Sequence, residues 1–456
     1  MPSTKPPSGM RDFLPEELRR RRYLFEMIER AYRRHGFEPI QTPALERIET
    51  LTGKYGDEGE QLMYKALKRG QKLLDAIDAG ELQPNDLADM GLRYDQTVPL
   101  SRVVAQYRND LPRIFKCYQI SPVWRADRPA KGRFREFYQC DVDVVGTDSV
   151  LVEVDVLTAA AEALSDLGIS DFTIRINERN LLYAMTNAAG IPLELAQSAL
   201  VALDKLDKIG AEAVIGEMVS HGISSESGAR LMEIASAAEA AGSAMEGLEL
   251  VFEAVGDDYS EANRSRTTKL FELLAASGLA AERVVFDPYL ARGLSYYTGP
   301  IYEFSIPGFP GSSGGGGRYD GLIGMFTGDD IPACGVSLGV ERLYMIMEER
   351  GLFPDHLDSG CDVFITQFDD QAAEAGLQAA LTLRKAGYSV DVYPESPRLK
   401  KQFQQAERAK AKVVIVAGPD ERANGQVVLK DMKTGQQTTV SVEAIVDGVH
   451  QILGSS

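Results

Sequence analysis

Two strand-like runs joined by a short connection constrain the fold most. The first run, RIFKCYQISPVWR, spans residues 113–125, and the second, RFREFYQCDVDVVG, spans residues 133–146. Only ADRPAKG links them. Parallel neighbours need a crossover of a dozen or more residues, whereas antiparallel neighbours can be joined by a tight loop. We therefore predict an antiparallel hairpin in a strand-rich region that begins near LRYDQTVPL, which is itself read as extended chain.

Helical spacing of apolar residues and runs of β-formers indicate the other elements. We predict a helix over 14–35, a strand in EPIQTPALE that is interrupted by Pro43, which belongs on an edge or at a bulge, and a helix over 150–169. Residues 180–282 are rich in Ala, Leu and Glu and indicate an inserted helical module. After residue 351, strands and helices alternate strictly, which predicts a compact α/β domain. The predicted segments are 1–180 and 283–350 for two parts of one core, 181–282 for the insertion, 351–360 for a linker and 361–456 for the last domain.

The charge balance limits the partners of the chain. With 49 Lys and Arg against 67 Asp and Glu, the formal net charge is −18, which disfavours non-specific binding of nucleic acid. Residues 93–140 reverse this balance, because ten basic residues face four acidic ones, a local excess of +6. A solvated basic surface is the ordinary explanation of such a run, and a site for anions is the other.

Other features of composition exclude some classes of site. The four cysteines form no CxxC pair, and the four histidines stand apart, so zinc ribbons and histidine-dependent triads are disfavoured. We expect free thiols, as in a reducing cytoplasm. No signal peptide and no membrane span are expected, since no apolar run approaches about 18 residues.

The hairpin and a nearby junction carry arginines at positions suited to phosphate. Arg125, Arg133 and Arg135 alternate along the hairpin, with Phe137 and Gln139 continuing the same face. Guanidinium groups suit phosphate oxygens, and a phenylalanine there can stack on a base. In GVSLGVERL, Arg342 lies in the first turn of a predicted helix, where it is either part of a structural junction or aimed at a phosphate.

Three further segments have both a structural and a ligand-binding interpretation. GGGGRYDG is either a flexible linker or a place where backbone approaches a ligand; it fits neither a dinucleotide-binding nor a P-loop pattern. In RYDQT, Asp95 and Thr97 are two apart and suited to an ammonium group. Asp143 is an acid in an apolar strand and needs a partner. ARGLSYYTG places a guanidinium beside two phenols in a half-buried segment.

Together and in this order, these segments resemble the histidyl-tRNA synthetases, a family of class II aminoacyl-tRNA synthetases. The first helix and the strand with Pro43 are similar to motif 1, VWRADRPAKGRFREFYQCDVDVVG to motif 2 and GVSLGVERL to motif 3. ARGLSYYTG and GGGGRYDGL resemble the two histidine-specific segments, and the C-terminal domain resembles an anticodon-binding domain. The fold implied is an antiparallel class II sheet flanked by helices (an α+β core), a helical insertion and a C-terminal α/β domain.

The resemblance also implies residue roles. Arg125 and Arg292 hold the α-phosphate of ATP, Arg342 the γ-phosphate and Arg133 the outer phosphates, while Phe137 stacks on adenine. The loop Asp95, Gln96 and Thr97, with Gln139, binds the ammonium and carboxylate of histidine. Asp143 and Tyr297 contact the two imidazole nitrogens, and Tyr296 and Tyr319 line the pocket. Mg²⁺, tRNA(His), a homodimer and a cytoplasmic location are implied as well, and the metal ligands stay open.

Two departures from the family pattern and two rival functions accompany this resemblance. Ser295 stands where the family has an aspartate, and Asp127 where motif 2 usually has a glutamate. A catalytically silent paralogue, either a regulatory subunit or a sensor of uncharged tRNA, is one alternative. An acyl-adenylating enzyme without tRNA is the other. The three motif arginines and the C-terminal domain argue against both alternatives, and the basic residues Lys400, Lys401, Arg408, Lys410 and Lys412 suit phosphate contacts.

Overall fold

The computed structural model describes residues 2–53, 56–80, 86–291, 296–369, 371–396 and 398–454, with only the backbone described for 56–58 and 207. The chain divides into two compact units. The first comprises Met1–Asp12 and Tyr23–Leu352, and the second comprises Phe13–Arg22 and Phe353–Ser456. No helix among the described residues is long and apolar enough to cross a membrane.

The elements up to Leu352 alternate between strands of two sheets and helices that cover them. The strands are β1 (Glu38–Pro39), β2 (Leu45–Arg47), β3 (Lys65–Leu67), β4 (Ala88–Leu92), β5 (Phe115–Trp124), β6 (Glu136–Val145), β7 (Thr173–Glu178), β8 (Val284–Phe286), β9 (Pro300–Ile306), β10 (Phe309–Arg318) and β11 (Ala333–Gly339). The helices are α1 (Pro15–Arg34), α2 (Ile48–Leu51), α3 (Gly56–Gln61), α4 (Gln71–Asp78), α5 (Thr97–Tyr107), α6 (Val150–Asp166), α7 (Arg179–Ala188), α8 (Leu193–Leu203), α9 (Leu206–Ile209), α10 (Ala211–Ser220), α11 (Ser225–Glu239), α12 (Ala244–Val255), α13 (Glu261–Ala276), α14 (Asp320–Thr327) and α15 (Val340–Glu349). Short 3₁₀ turns occupy Gly256–Asp258 and Ala281–Arg283.

The large sheet of the first unit has the strand order β1-β5-β6-β11-β10-β9-β7-β8 among the described residues. Its inner pairs are antiparallel, and the edge pairs β1–β5 and β7–β8 are parallel. The predicted hairpin is confirmed, since β5 pairs with β6 from Phe115↔Val145 to Trp124↔Glu136. The segment around Pro43 is not one strand: β1 ends the large sheet, β2 is an outer strand of a small sheet ordered β2-β4-β3, and Pro43 lies between them outside both strands.

The glycine run is a strand, which neither interpretation of GGGGRYDG predicted. Residues 314–317 lie inside β10 and pair with both β9 and β11. A Cβ placed on Gly316 would lie 1.9 Å from the Gly335 carbonyl oxygen, so this strand approaches its neighbour too closely for any side chain. Low β-propensity of glycine is overridden here by the need for close backbone contact.

Two other sequence predictions were wrong. The segment RYDQTVPL is not extended, because helix α5 begins at Thr97 and Gln96 already has helical backbone angles. The C-terminal elements also do not alternate strictly. They are β12 (Val363–Ile365), α16 (Ala372–Lys385), β13 (Val390–Val392), α17 (Leu399–Arg408), β14 (Val413–Val416), α18 (Pro419–Ala423), β15 (Gln426–Asp431), β16 (Gln437–Ser441) and α19 (Ile445–Leu453), with 3₁₀ turns at Asp355–Asp358 and Val442–Ala444.

The second unit contains a sheet ordered β13-β12-β14-β15-β16. Its first three strands are parallel, and β15 and β16 add an antiparallel hairpin. Helices α16 and α19 cover an apolar core that includes Val363, Leu383, Val413 and Leu429. The predicted fold class, an antiparallel-rich sheet flanked by helices with a C-terminal α/β sheet, is confirmed. The finer subdivision, with 181–282 as an insertion, stays a prediction; helices α7 to α13 occupy Arg179–Ala276.

Candidate active site

A cavity of about 330 Å³ opens over the middle of the large sheet. Strands β6, β9, β10 and β11 form its floor, and residues from the start of α5 and from α15 reach its ends. Side chains that line it and carry chemistry are Asp95, Thr97, Arg125, Asp127, Arg133, Phe134, Phe137, Gln139, Asp141, Asp143, Tyr296, Tyr297, Tyr302, Glu303, Ser313, Tyr319, Ser337, Glu341 and Arg342. The lining thus contains two groups of side chains: the carboxyl groups and phenols around Asp143, here called the acidic end, and the arginines Arg125, Arg133 and Arg342 with Phe134 and Phe137, here called the basic end.

The acidic end centres on Asp143 of β6. Its Oδ1 accepts a hydrogen bond of 2.7 Å from the Tyr319 hydroxyl. Its Oδ2 is buried and has no hydrogen-bond partner in the part of the chain that the structure describes. Gly335 makes room for this carboxyl group, since a Cβ there would lie 1.9 Å from Asp143 Oδ1. One acceptor oxygen of this cavity-lining residue is therefore held by Tyr319, and the other has no donor within the described residues.

A second carboxylate lies at the start of α5. Asp95 Oδ1 accepts from the Val98 amide at 3.1 Å, and Oδ2 accepts from the Tyr296 hydroxyl at 3.0 Å. Both of these donors are neutral, and the Asp95 carboxylate brings a negative charge to this part of the cavity. The phenol rings of Tyr296 and Tyr297 pack edge to face with centroids 5.1 Å apart, as do those of Tyr296 and Tyr319 at 6.2 Å.

Burial changes the acidity of this end. Desolvation raises the pKa of Asp143 to about 7, with a further contribution from the Asp95 charge, while the bond from Tyr319 opposes the rise. Desolvation and then the Asp143 charge also raise the pKa of Asp141 well above its ordinary value. The pKa of the Tyr319 phenol is raised by burial and by Asp143. Carboxyl groups in this state favour a ligand that brings positive charge or N–H donors.

Gln139 connects the acidic end to the next strand. Its Nε2 donates to Ser337 Oγ at 2.8 Å, and its Oε1 is buried without a partner among the described residues. The Ser337 hydroxyl in turn faces the Asp141 carboxyl group. Gln139 thus offers an acceptor to the cavity, two residues along β6 from Asp141.

The basic end holds guanidinium groups against aromatic rings. Arg125 lies 4.3 Å from the ring centroid of Tyr94 and 5.3 Å from that of Phe137, and its Nε donates to Tyr94 O at 3.1 Å. Arg342 donates to the Ser312 carbonyl. Gly311, at φ +85°, passes so close that a Cβ would lie 2.7 Å from Arg342 Nη1. These contacts fix two cations in the lining of one cavity.

The N-terminal segment supports this end. Arg11 stacks over the Phe134 ring at 3.6 Å and forms an ion pair with Glu341. Glu341 Oε1 also accepts from the Tyr138 amide at 3.4 Å. The Arg135 amide donates to Gly9 O at 2.7 Å. The loop between β5 and β6 is therefore tied both to the start of α15 and to the N-terminal segment.

The structure brings most of the predicted site residues together. Those that line the cavity are Asp95, Thr97, Arg125, Arg133, Phe137, Gln139, Asp143, Tyr296, Tyr297, Tyr319 and Arg342. Gln96 is not among them: its side chain is fully buried and bonds the backbone of Ser121 and Gln139. Arg135, expected on the same face as Arg133, instead donates to Ser8 O and Asp127 O. Arg292 and Ser295 lie outside the described residues.

Several cavity residues escaped the sequence analysis. Asp141 is the clearest, because DVDVV places acids two apart in an apolar strand and both then share one face. That spacing was a usable signal. Glu303, Phe134 and Ser337 gave none, since each belongs to a segment that reads as ordinary strand or loop. Glu341 lies beside Arg342 in the same helical turn.

The arrangement suits a reaction between two anions. Guanidinium groups on either side of the cavity can neutralise a polyphosphate, and the acidic end can hold an ammonium group and a ring with N–H donors. Such a site acts by positioning the reactants and by stabilising charge that builds up during reaction. No described histidine or cysteine lines the cavity, so neither a cysteine nucleophile nor a histidine base is present among the lining residues that the structure describes.

Comparison with known proteins places both parts of the chain. Residues 9–343 match the family model described as histidyl-tRNA synthetase, and residues 362–452 match an anticodon binding domain. A histidine–tRNA ligase of Cytophaga hutchinsonii is 39% identical over 448 residues, covering 96% of this chain and 98% of its own. The crystal structure of histidyl-tRNA synthetase from Nostoc sp. PCC 7120 is 30% identical, with a TM-score of 0.81 over 99% of this chain and 100% of its own.

A more distant solved structure shares the fold alone. It is described as an ATP phosphoribosyltransferase regulatory subunit/histidyl-tRNA synthetase from Bacillus halodurans and is 22% identical. Its TM-score is 0.72, with 91% of this chain and 98% of that chain covered.

Proposed function

Because this chain belongs to the histidyl-tRNA synthetase family, its reaction is that of a histidine–tRNA ligase, and we propose that the cavity divides this reaction between a histidine end and an ATP end. Histidine is activated by ATP to histidyl-adenylate with release of pyrophosphate. The histidyl group is then transferred to the 3′ end of tRNA(His). The function rests on the match of residues 9–343 and on relatives that cover nearly the whole chain.

One observation carries the assignment of the histidine end. Asp143 lines the cavity and has one oxygen held by Tyr319 and a second, buried oxygen that lacks a partner within the described chain. An imidazole N–H supplies the missing donor, and the Tyr297 hydroxyl contacts the other ring nitrogen. Amino acids without both nitrogens leave these polar groups unpaired, which costs more than a missing methylene does. Tyr296 and Tyr319 complete the walls.

The ammonium and carboxylate groups of histidine lie next to α5 in this proposal. Asp95 binds the ammonium through charge, and Thr97 and Gln139 add a hydroxyl and an unpartnered amide oxygen. Gln96, which the resemblance grouped with them, acts behind the site instead. Its amide joins the backbones of Ser121 and Gln139 and so holds the strand that carries Gln139.

Arginines hold ATP at the other end. Arg125 binds the α-phosphate, Arg133 the outer phosphates and Arg342 the γ-phosphate, while Phe137 stacks on adenine. A carboxylate oxygen of histidine attacks the α-phosphorus, the bond to the bridging β-oxygen breaks, and pyrophosphate leaves. Arg125 neutralises charge on the α-phosphate oxygens during this step. Arg292 serves the same phosphate by resemblance to the family.

Transfer to tRNA uses the same pocket. The terminal ribose hydroxyl attacks the carbonyl carbon of histidyl-adenylate, its proton passes to a phosphate oxygen of the adenylate, and AMP leaves with the electrons of the broken C–O bond. Asp95 and Asp143 keep the histidyl group in place through both steps. The protein supplies no histidine base in this scheme, in keeping with the cavity lining.

The donor set also fits Mg²⁺. Hard carboxylate oxygens suit this ion, which usually binds one or two carboxylates together with substrate phosphates. Glu341 and Glu303 line the cavity, and Glu341 precedes Arg342 directly. Both carboxylates also pair with an arginine, Glu341 with Arg11 and Glu303 with Arg175. In this proposal their remaining oxygen valences would hold Mg²⁺, and the ion would neutralise charge on the outer phosphates.

The second unit supplies the tRNA-binding surface in this proposal. Residues 362–452 match an anticodon binding domain, and Lys400, Lys401 and Arg408 are exposed on α17. Lys410 and Lys412 pair with Glu16 and Asp362 instead. By resemblance to the family we also propose a cytoplasmic homodimer; sedimentation as a monomer under assay conditions contradicts the dimer.

Pyrophosphate exchange tests the function directly. The purified protein is incubated with ATP, Mg²⁺, labelled pyrophosphate and each of the twenty amino acids in turn. We expect exchange with histidine alone, because only histidine supplies donors or acceptors at both ring nitrogens. Exchange with another amino acid contradicts the assignment of the histidine end, and exchange with none contradicts the function.

A further inference from the structure

A buried ion cluster outside the cavity is not used by the proposed reaction. Glu153 of α6 is completely buried, and its Oε1 accepts from Arg318 Nε at 2.9 Å and from Arg318 Nη2 at 2.7 Å. The same oxygen accepts from Arg266 Nη2 of α13 at 2.9 Å. None of these three residues lines the cavity. One carboxylate oxygen thus joins a helix next to the sheet, a strand end and a helix of the α7–α13 run.

The cluster is closed by a second acid. Arg318 Nη1 donates to Asp320 Oδ1 at 2.9 Å, and Asp320 Oδ1 also accepts from the Ala333 amide at 3.0 Å. Two arginines therefore face two carboxylates, so the formal charges balance. A buried charge of this kind persists only when it is paired and hydrogen-bonded. The geometry around Arg318 is accordingly restricted to one arrangement.

Arg318 directly precedes Tyr319, whose hydroxyl bonds Asp143. The carbonyl of Arg318 accepts from the Thr298 amide at 2.8 Å, and the Tyr319 amide donates to Ala333 O at 2.8 Å. Tyr319 itself is 1% exposed, so its ring cannot adjust freely. A displacement of Arg318 is therefore passed to the Tyr319 hydroxyl. The fixed oxygen of Asp143 then loses its donor.

We propose that Glu153, Arg318 and Arg266 are positioning residues that set Tyr319, and through it Asp143, for histidine. Helix α13 contributes Arg266, so the placement of that helix influences the affinity for histidine and leaves the ATP end unchanged. This inference rests on the proposed roles of Asp143 and Tyr319 in histidine binding. Among the three residues Arg266 is the best one to change, because its side chain is 30% exposed. Its removal leaves Glu153 still paired with Arg318, so no buried charge is left uncompensated, but it removes the contact with α13 that fixes where this pair lies.

The main test is Arg266→Met, assayed by histidine-dependent pyrophosphate exchange. We expect the KM for histidine to rise by about 3- to 20-fold, the range for changes within a coupled network, with the KM for ATP unchanged within about 2-fold. Arg266→Lys keeps a cation near Glu153 and should recover part of the loss. Arg264→Met is the matched control, since Arg264 lies on the same helix but bonds the carbonyls of Tyr259 and Gly256.

A double-mutant cycle separates positioning from general destabilisation. In a Tyr319→Phe background, the donor to Asp143 is already lost, so Arg266→Met should change kcat/KM for histidine little further. Additive losses overturn the proposal, as do equal increases in the KM values for histidine and ATP. Thermal melting of each variant shows whether it is folded at the assay temperature. If Arg266→Met is not folded at that temperature, the same double-mutant cycle with Arg266→Lys and Tyr319→Phe tests the positioning role instead.

The outcomes also distinguish this inference from the function itself. If the unmodified protein shows no histidine-dependent exchange, the proposed function fails. If the unmodified protein is active and Arg266→Met binds histidine normally, only the positioning role fails.

Discussion

Asp143 combines two requirements that oppose each other in a folded protein. Recognition of an imidazole needs an acceptor oxygen without a protein partner, whereas a buried carboxylate is most stable when both oxygens are satisfied. The structure holds one oxygen with Tyr319 and leaves the other unpartnered among the described residues. Gly335 provides the space, because any larger residue would collide with the carboxyl group. We infer that the empty pocket is destabilised and that histidine relieves this cost.

Replacing Asp143 with Asn should therefore abolish histidine activation and yet stabilise the unliganded protein at alkaline pH. Burial raises the pKa of Asp143 to about 7, compared with about 3.9 in an unfolded chain. The folded state binds the proton more tightly, so the stability of the unmodified protein falls as the pH rises from about 4 to above 7. The amide in Asp143→Asn does not titrate in this range. Above pH 8 we expect the variant to gain on the order of 1–3 kcal/mol in free energy of unfolding.

Urea unfolding at pH 5 and pH 8.5, without ligand, measures this difference. The increase in free energy of unfolding caused by Asp143→Asn should be larger at pH 8.5 than at pH 5. Added histidine should stabilise the unmodified protein and should not stabilise the variant. Asp148→Asn is the control, because Asp148 is an exposed acid shortly after the same strand and surface changes usually stay within about 0.5 kcal/mol. A variant that is less stable than the unmodified protein at both pH values contradicts the argument.

Strand β10 shows what sequence periodicity can and cannot predict at the level of an element. The hairpin β5–β6 was predictable, since alternating β-formers and a short loop are local signals. Four consecutive glycines carry no such signal, and their strand conformation depends on the backbones of β9 and β11 on either side. Thr97 was predicted to lie in extended chain, whereas it is the first residue of α5. The signal for this helix start is Asp95, whose side chain accepts a hydrogen bond from the Val98 amide, but Asp95 was interpreted only as a ligand of an ammonium group.

Two glycine substitutions test whether β10 requires glycine for contact or only tolerates it. In Gly316→Ala, the new Cβ would lie 1.9 Å from the Gly335 carbonyl oxygen, which is backbone and cannot rotate away. We expect a loss of more than about 3 kcal/mol in the free energy of unfolding, or no soluble protein. Gly321→Ala, in α14, meets no atom within 4 Å. It should be neutral or stabilising by up to about 1 kcal/mol.

Denaturant unfolding of the two variants provides the comparison. If the Gly316→Ala protein is as stable as the parent, β10 and β11 can move apart at little cost in free energy. In that case the close backbone contact is not the reason for glycine at this position.

At the scale of the whole molecule, the order of several motifs along the chain predicted the function better than any single motif did. Eleven of the predicted site residues line one cavity although the chain between them spans from Asp95 to Arg342. Gln96 did not follow its neighbours, because a residue at the start of a helix can turn its side chain into the core. The Glu153 cluster depends on contacts between distant elements, which spacing along the chain does not report.

A change in the proposed tRNA-binding surface of the second unit should reduce aminoacylation of tRNA without reducing histidine activation. Lys400 and Lys401 are both exposed on α17. We expect the double variant Lys400→Gln, Lys401→Gln to leave pyrophosphate exchange unchanged and to reduce kcat/KM for tRNA by about 10-fold or more. The reason is that each lost phosphate contact weakens tRNA binding and lowers its salt dependence. Lys400→Arg with Lys401→Arg keeps the charge and serves as the control. The measurement is aminoacylation at two salt concentrations, such as about 50 and about 200 mM, beside exchange under the same conditions.

If the neutral variant aminoacylates tRNA normally with an unchanged salt slope, α17 is a solvated surface and another face of the second unit binds the tRNA. If exchange falls together with aminoacylation, the change has reached the catalytic unit and the separation of the two activities is refuted.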